Sequence, residues 1–348
     1  MNYSIQHKIF HFKNPSGTSR GVLTEKHAWF ITLWNEENPS VKGVGECSII
    51  AGLSPDFKNN LDYKASIHTF CAAYCESLTL PSEITAFPSI KFGIETAVLD
   101  LKNGGKGLIF ENDFSINSKK LPINGLIWMG DQAFMEDQIE QKLTEGFSTL
   151  KMKVGAIDFN NEIALLSAIR KRFSKDEITL RVDANGAFTK KDALSKLTEL
   201  AKLDLHSIEQ PIQAGDWQGM KELCQVSPLP IALDEELIGI DSIKDKAELL
   251  KTIQPPFIIL KPSLHGGIEG TKEWIELAEE KGIQWWITSA LESNIGLNAI
   301  CQLTAEYTTT LPQGLGTGSL YTNNIESDLC VENGFIFKKK TNQLTDSF

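Results

Sequence analysis

Charged residues recur at the ends of short apolar runs in this chain, at nearly constant spacing. The runs and the residues that follow them read KMKVG, RVDANGAF, IEQPI, ALDEEL and ILKPS. Lys153, Asp183, Glu209, Asp234 and Lys261 follow one another at intervals of 30, 26, 25 and 27 residues. Each interval accommodates one strand and one helix, so the spacing predicts parallel β/α units whose strand ends meet at one rim of a barrel.

Three carboxylates that meet at one rim repel one another and raise one another's pKa values unless a cation is present. A divalent metal ion is the simplest resolution, and hard oxygen ligands suit Mg²⁺. A rim lysine near a cation and partly desolvated is predicted to have a lowered pKa, so that it can abstract a proton. The metal would stabilise the resulting enolate. A lone Lys or Asp at a strand end is usually a solvated rim residue, but five in register favour a functional site.

The composition predicts an ordinary globular protein of two domains, because 348 residues with 41% hydrophobic content can form sizeable cores. A net charge of −11 without a basic run predicts no nucleic-acid surface, since phosphate binding relies on clustered Lys and Arg. Neither a membrane span nor the apolar core of a signal peptide is recognisable. We therefore expect a cytoplasmic protein, without a membrane partner, that acts on a small molecule; homo-oligomerisation stays open.

The first third of the chain predicts an α+β domain. Alternating apolar positions in YSIQHKIFHF and HAWFITLWN, followed by VKGVGECS, predict an antiparallel three-stranded meander. Residues 58–78 and 89–103 show helical periodicity, and paired glycines follow the second segment. Between the first two strands, Asn14–Lys26 is rich in turn-forming residues and is predicted to be a mobile loop.

From residue 120 the pattern changes to alternating strands and helices. LPINGLIWM, TLKMKV, ITLRVD, LHSIEQ, PIALDE, FIILKP, IQWWITSA and QGLGTG predict eight strands, of which the last is glycine-rich and poorly formed. Intervening segments such as FNNEIALLSAIRKRF repeat apolar residues at helical spacing. The predicted fold class is α/β: a modified TIM barrel, (β/α)₇β, with an N-terminal α+β capping domain.

The K-x-K on the second barrel strand, with another lysine on the sixth, resembles the enolase superfamily in the branch of muconate lactonizing enzyme. GVGE and ETAVLDL also match the capping domain of that family. The resemblance implies a barrel at residues 120–319, the modified form that the family uses. It further implies a capping domain at residues 1–119, completed by the C-terminal segment 320–348, that covers the barrel rim.

The same resemblance assigns roles to the spaced residues. Three carboxylates would be the ligands of Mg²⁺, with Mn²⁺ as an alternative ion: Asp183, Glu209 and Asp234. Lys153 and Lys261 would face each other across the substrate as catalytic lysines, and Lys151 would help to lower the pKa of Lys153. Asn185 and Glu235 would orient ligands or waters around the metal, a role that metal sites usually require. Ordinary loop polarity is the alternative for these two residues.

Substrate contacts are predicted at the rim after the seventh and eighth strands. Ser289 and Ser293 could donate hydrogen bonds to a carboxylate, although both could equally cap the following helix. Glu292 resembles a family acid at this strand end. At the end of the eighth strand, where Gly316 lies, dipeptide epimerases of the superfamily carry acids that hold the ammonium group of the substrate. This chain has no acid there, so a buried ammonium group would lack a compensating charge. The small residues leave room for a ring. In the family the equivalent of the predicted loop closes over the substrate, so Arg20 or Ser19 would approach an anionic group there. A surface arginine is the alternative.

INGLIWMG and GLGTGSLYTNNI together resemble the o-succinylbenzoate synthases of menaquinone biosynthesis. The resemblance implies that Lys153 removes the proton alpha to the carboxylate of 2-succinyl-6-hydroxy-2,4-cyclohexadiene-1-carboxylate. Water then leaves as the ring becomes aromatic in 2-succinylbenzoate. Racemisation of N-acylamino acids and cycloisomerisation of muconate stay open, because both proceed through similar enolates. A non-catalytic binding protein would not require intact ligands and bases together.

Overall fold

An antiparallel three-stranded sheet opens the computed structural model, which describes residues 1–18, 21–155 and 157–339. Its strands, in spatial order, are β1 (Asn2–Thr18), β2 (Gly21–Asn35) and β3 (Asn38–Ser48). Two helices and a short 3₁₀ turn follow: α1 (Asn60–Ser77), Ser82–Ala86 and α2 (Pro88–Lys102). Apolar side chains of the sheet and both helices form one core. The predicted meander and both predicted helices are confirmed.

Local chemistry explains where these helices begin and how closely one of them packs. The Asn59 side chain accepts hydrogen bonds from the N–H groups of Leu61 and Asp62 and so caps α1. At the interface of β3 and α2, a Cβ added to Gly45 would overlap the carbonyl oxygen of Gly93. The glycines of GVGE therefore allow the helix to lie directly on the strand.

The segment predicted as a mobile loop, Asn14–Lys26, is strand in its described part. β1 and β2 pair within this segment, with Ser16 opposite Leu23, and their register shifts between His11 and Ser16. The turn-forming residues thus produce an irregularity within a ladder rather than a loop, as β-bulges do. The prediction was wrong because this irregularity interrupts the strand pattern without ending the strands.

Seven parallel strands form the barrel, in sequence order. After β4 (Leu121–Pro122), they are β5 (Gly125–Ile127), β6 (Thr149–Lys153), β7 (Thr179–Asp183), β8 (Ser207–Glu209), β9 (Ile231–Leu233), β10 (Phe257–Leu260) and β11 (Gln284–Ile287). Each is followed by a helix: α3 (Gln132–Thr144), α4 (Phe159–Arg172), α5 (Ala193–Ala201), α6 (Trp217–Val226), α7 (Ile243–Ile253), α8 (Gly267–Glu280) and α9 (Asn294–Ala305). Apolar side chains between the strands and helices form the largest core.

The predicted eighth strand, QGLGTG, is reduced to two single-residue parallel pairings in the described chain. Gln313 pairs with Ile123, before β5, and Gly314 pairs with Thr288, after β11. This segment therefore bridges the first and the last strands of the barrel. A Cβ at Gly314 would overlap the Thr288 hydroxyl, so glycine is needed for the close approach. The (β/α)₇β arrangement is confirmed.

The predicted first barrel strand, LPINGLIWM, divides between two sheets. β4 pairs antiparallel with β13 (Phe335–Lys338), which also pairs with β12 (Leu329–Glu332), and only β5 joins the barrel. Tyr321 pairs with Phe12 of the N-terminal sheet. The domain boundaries at residues 119 and 319 stay predictions, and residues 340–348 lie outside the described chain. None of the described helices is long and apolar enough to cross a membrane.

Candidate active site

Three buried carboxylates meet where β7, β8 and β9 end. Asp183 and Glu209 are the last residues of β7 and β8, and Asp234 follows β9 directly. One oxygen from each lies within 4.8 Å of the other two, and each side chain is at most 1% exposed. Glu209 Oε1 accepts no hydrogen bond from the described residues. A buried, unpartnered carboxylate oxygen within an all-oxygen cluster suits a divalent cation.

Two lysines of β6 reach this cluster from the neighbouring strand. Lys151 and Lys153 are two positions apart and therefore point to the same face of the sheet. Lys151 Nζ lies 2.9 Å from Asp183 Oδ2 and also contacts Glu209. Lys153 Nζ lies 2.5 Å from Asp183 Oδ2 and donates to Asn185 Oδ1 at 2.7 Å. The K-x-K pattern thus places both amines beside the carboxylates.

Lys261 approaches the cluster from β10. Its Nζ lies 2.5 Å from both carboxylate oxygens of Asp234, and its backbone N–H donates to His265 Nδ1 at 2.9 Å. Lys153 and Lys261 line the same cavity. The five residues of the predicted series therefore converge on one rim, as their spacing predicted.

Opposite charges dominate the protonation of this cluster. Burial lowers the pKa of Lys151, but Asp183 and Glu209 outweigh burial and raise it overall. Burial also lowers the pKa of Lys261, but Asp234 outweighs burial and raises it overall. These directions follow from the direct pairing of each ammonium with a carboxylate. The predicted lowering refers to a rim lysine near a metal ion and stays a prediction. Burial raises the pKa of Glu209 to about 8, even though Lys151 lowers it.

Asn185 connects the lysine and carboxylate groups. It has a left-handed backbone conformation, with φ of 44°, and its N–H donates to Asp183 Oδ1 at 3.0 Å. Its side-chain Nδ2 donates to Glu235 Oε1 at 2.9 Å, while its Oδ1 accepts from Lys153. Asn185 and Glu235 also line the cavity. Their predicted role in orienting ligands or waters stays a prediction, and the contacts are compatible with it.

The rim opens into a cavity of about 770 Å³. This volume is within the range of small-molecule sites. The barrel contributes part of its wall through Leu126, Trp128, Ser289, Gly316 and Thr317. The N-terminal sheet and the segment after it contribute another part through Lys13, Asn14, Leu23, Ile50 and Leu53. Both units of the chain therefore enclose the site.

Two of the predicted substrate contacts line this cavity. Ser289 shares a hydrogen bond of 2.7 Å with the Thr317 hydroxyl, and its Oγ accepts the N–H of Leu291 at 3.0 Å. Gly316 lies against Ile123 and Asn124, just before β5, and a Cβ added there would meet both at 3.5 Å, an ordinary contact distance. Their roles as substrate contacts stay predictions. Ser19 and Arg20 lie outside the described residues.

Ser293 and Glu292 are not among the described residues that line the cavity. Ser293 caps α9 by accepting the N–H of Ile295 and donates its hydroxyl to Glu46 at 2.6 Å. Glu292 is 0% exposed and accepts the hydroxyl of Ser263 at 2.6 Å. The capping alternative for Ser293 is confirmed, and direct substrate contact by Glu292 has no support from these positions.

Several wall residues were missed from the sequence alone. Thr317 stands beside Gly316 in a stretch whose lack of acids and whose small residues, rather than any hydroxyl group, were the basis of the prediction. Leu23, Ile50 and Leu53 carry no chemical signal, because apolar residues in strands and turns usually indicate core. Trp128 lies within INGLIWMG, so aromatic character next to a barrel strand was the one available indication.

Comparisons with known proteins agree with this geometry. The family described as Enolase C-terminal domain-like matches residues 134–341. The o-succinylbenzoate synthase of Desulfotalea psychrophila is 46% identical, over 97% of this chain and 98% of that protein. The crystal structure of MenC from Desulfotalea psychrophila LSv54 matches with a TM-score of 0.82 and 43% identity, covering 97% of this chain and 99% of that one. A dipeptide epimerase from Enterococcus faecalis V583 shares the fold, with a TM-score of 0.83 and 23% identity, covering 97% and 96%.

Proposed function

The chain belongs to the enolase C-terminal domain-like family, and on this premise we propose that it is an Mg²⁺-dependent o-succinylbenzoate synthase. The family resemblance predicted from the K-x-K and carboxylate series is thereby confirmed. One observation supports the proposal most: a chain 46% identical to such a synthase over nearly its whole length has Lys153 and Lys261 lining one cavity, beside a cluster of three buried carboxylates.

The proposed substrate is 2-succinyl-6-hydroxy-2,4-cyclohexadiene-1-carboxylate. The neutral amine of Lys153 takes the proton alpha to the ring carboxylate, and the electron pair moves toward that carboxylate. The C–O bond to the ring hydroxyl then breaks, and the hydroxide leaves as water with the proton from Lys153. The ring gains its third double bond and becomes 2-succinylbenzoate, so atoms and charge balance without an oxidant or reductant.

Asp183, Glu209 and Asp234 would hold the Mg²⁺ ion. When bound, Mg²⁺ supplies positive charge that stabilises the negative charge developing on the substrate carboxylate. Hard carboxylate ligands and the unpartnered Glu209 oxygen support this ion, and Mn²⁺ would fit the same donors.

Lys261 completes the site from the side of β10. Its ammonium would lie over the face of the ring opposite Lys153, where a cation is attracted to a π system. Ser289 and Gly316, which line the cavity, would contact the remainder of the substrate. The proposed partner is therefore a small carboxylate and the proposed location is the cytoplasm, while homo-oligomerisation stays open.

Racemisation of N-acylamino acids is the second candidate, favoured by one specific observation. Two lysines from β6 and the end of β10 open into the same cavity, which is the arrangement that a two-base exchange of an alpha proton needs. Such an enzyme would exchange the alpha proton of an N-acylamino acid for deuterium in D₂O. The synthase reaction would instead form an aromatic product.

The purified protein should be incubated with 2-succinyl-6-hydroxy-2,4-cyclohexadiene-1-carboxylate and Mg²⁺, and the absorbance of the aromatic product followed. We expect rapid turnover that EDTA abolishes and added Mg²⁺ restores. Deuterium exchange of N-succinylamino acids and the cycloisomerisation of muconate are measured in parallel. Turnover of either substrate without formation of 2-succinylbenzoate would contradict the proposed function.

A further inference from the structure

A buried lysine of the N-terminal sheet reaches the barrel rim. Lys26 of β2 is 4% exposed. Its Nζ donates to the carbonyl oxygen of Ala290 at 2.6 Å and to the hydroxyl of Ser48 on β3. Ala290 lies in the segment 289–293, which follows β11 and which we call the β11 turn. One charged group of the N-terminal sheet therefore contacts the backbone of the barrel rim directly.

The β11 turn forms part of the cavity wall and is conformationally strained. Ser289, Ala290 and Leu291 all line the cavity. Leu291 has φ of +62°, in the left-handed region that residues with a side chain rarely adopt. Such a conformation persists only where the surroundings fix it. The Tyr321 hydroxyl contributes by donating to the Leu291 carbonyl oxygen at 2.7 Å.

Glu46 of β3 holds the other end of the same turn. Its carboxylate accepts the N–H of Ser293 at 2.8 Å, the Ser293 hydroxyl at 2.6 Å and the N–H of Gly296 at 2.9 Å. Glu46 is 1% exposed. Burying charged groups costs free energy that a hydrophobic contact would not cost. Two buried charges that converge on one strained turn therefore indicate a role beyond joining two units.

The charges around Lys26 agree with this interpretation. Burial lowers the pKa of Lys26 to about 8, against the carboxylates of Glu292 and Glu46, which raise it. Burial also raises the pKa of Glu46, while the hydrogen bonds from Ser293 lower it. Among the described residues, the groups named here that favour the charged form of Lys26 belong to the β11 turn or to β3.

We propose that Lys26 is a positioning residue that acts through the β11 turn. By fixing the Ala290 carbonyl it holds Ser289 and Leu291 in the positions in which they contact the substrate. The identity of that substrate rests on the proposed function. The positioning of the turn does not, because it depends only on contacts within the chain.

Lys26→Met keeps an unbranched side chain as far as Cε and removes the ammonium group with its hydrogen bonds. We expect KM for the cyclohexadiene substrate to rise about tenfold while kcat changes less than about threefold, because the wall contacts ground state and transition state alike. Lys42→Met, at an exposed lysine of the same sheet, serves as the matched control and should match wild type in both constants. A fall in kcat with an unchanged KM would overturn the proposal.

Hydrogen–deuterium exchange provides a readout that does not require activity. In Lys26→Met, the amides of residues 289–296 should exchange about tenfold faster or more, while those of β7 and β8 stay as in wild type. Unchanged exchange in the β11 turn would overturn the proposal even if KM rises. If wild type fails to form 2-succinylbenzoate, the proposed function fails, and the exchange result still decides the role of Lys26.

A second variant guards against misfolding of Lys26→Met. Tyr321→Phe removes only the hydroxyl that donates to Leu291 and retains the buried ring. It should raise exchange in the same amides and raise KM by a smaller factor. Should both variants fold with wild-type exchange in residues 289–296, the turn does not depend on these contacts and the proposal is refuted.

Discussion

Lys153 is the residue on which the proposed proton transfer depends. We expect Lys153→Ala to lower kcat by about 10³-fold or more, because a positioned general base accelerates proton transfer by about 10²–10⁴-fold and this one also returns the proton. Mg²⁺ affinity, measured by isothermal titration, should stay nearly unchanged. Lys175→Ala, at an exposed lysine, is the control. Substantial residual turnover in Lys153→Ala would remove the proposed role.

Asp234 has a different expected effect, because it is a proposed metal ligand. Asp234→Asn retains the size of the side chain but removes a charged oxygen, so we expect the Kd for Mg²⁺ to rise about 10-fold or more. Asp176→Asn, at an exposed position, should leave the Kd unchanged. Binding of Mg²⁺ to Asp234→Asn with wild-type affinity would show that the ion is held elsewhere.

At the scale of residues, the regular spacing along the sequence was enough to predict which side chains meet at the barrel rim. Intervals of one β/α unit placed Asp183, Glu209 and Asp234 together, because every barrel strand ends at the same rim. Lys26 was not found, since a lysine in an alternating strand usually faces water. Its carbonyl partner at Ala290 lies 264 residues further along the chain. No local pattern encodes such a contact.

At the scale of elements, α2 and α8 meet through a largely buried carboxylate, that of Glu95, whose side chain is 14% exposed. Glu95 accepts the N–H of Ile268 at the start of α8 at 2.5 Å and lies 3.9 Å from Lys91 Nζ. Burial raises the pKa of Glu95 to about 7, from an ordinary value of 4.5, although Lys91 lowers it. The carboxyl group therefore keeps its proton in the folded protein at pH values where the unfolded chain has lost it.

This difference makes the junction sensitive to pH. Below pH 4.5 both states hold the proton; between pH 4.5 and 7 only the folded state does, so the free energy of unfolding falls as the pH rises. The loss attributable to Glu95 is up to about 3 kcal/mol. Glu95→Gln should remove this part of the pH dependence in urea unfolding at pH 5 and pH 7, and Glu83→Gln, at an exposed position, should keep it. An equal change in the free energy of unfolding between pH 5 and pH 7 in Glu95→Gln and Glu83→Gln would contradict the prediction.

Element boundaries were predicted well where periodicity is strong. The helices of the N-terminal domain and seven barrel strands follow the apolar pattern, because each buries one face against a neighbouring element. The pattern failed where only a few residues pair. β4 joins the sheet of the chain's last two strands rather than the barrel, and Gln313 and Gly314 each make a single pairing. Such pairings depend on closure of the barrel, which is a tertiary event.

At the scale of the whole molecule, the N-terminal sheet and the barrel form one site together. Leu23 and Leu53 line the cavity beside the lysines of the barrel, and the Tyr321 segment pairs with β1. The sequence predicted the existence of both units from a change in pattern near residue 120. Which side chains cross between them depends on how two surfaces fit, and composition carries little information about fit.

Metal binding should stabilise the entire fold rather than one segment. The three proposed ligands lie 26 and 25 residues apart along the chain, so only the assembled barrel brings their oxygens within 4.8 Å. The unfolded chain has no equivalent site. An ion that binds only the folded state adds about 2.7 kcal/mol at a concentration of 100 times Kd, which raises the Tm by several degrees.

We therefore expect thermal melts in Mg²⁺ to show a higher Tm than melts in EDTA at matched ionic strength. Glu209→Gln should lose most of this shift, because a neutral amide replaces a carboxyl group that can ionise when a metal binds, at the proposed ligand whose Oε1 accepts no hydrogen bond from the described residues. Asp176→Asn should keep the full shift. If Glu209→Gln retained the wild-type shift, Mg²⁺ would stabilise the protein through another site, and the three carboxylates would then be a buried cluster held by the lysines alone.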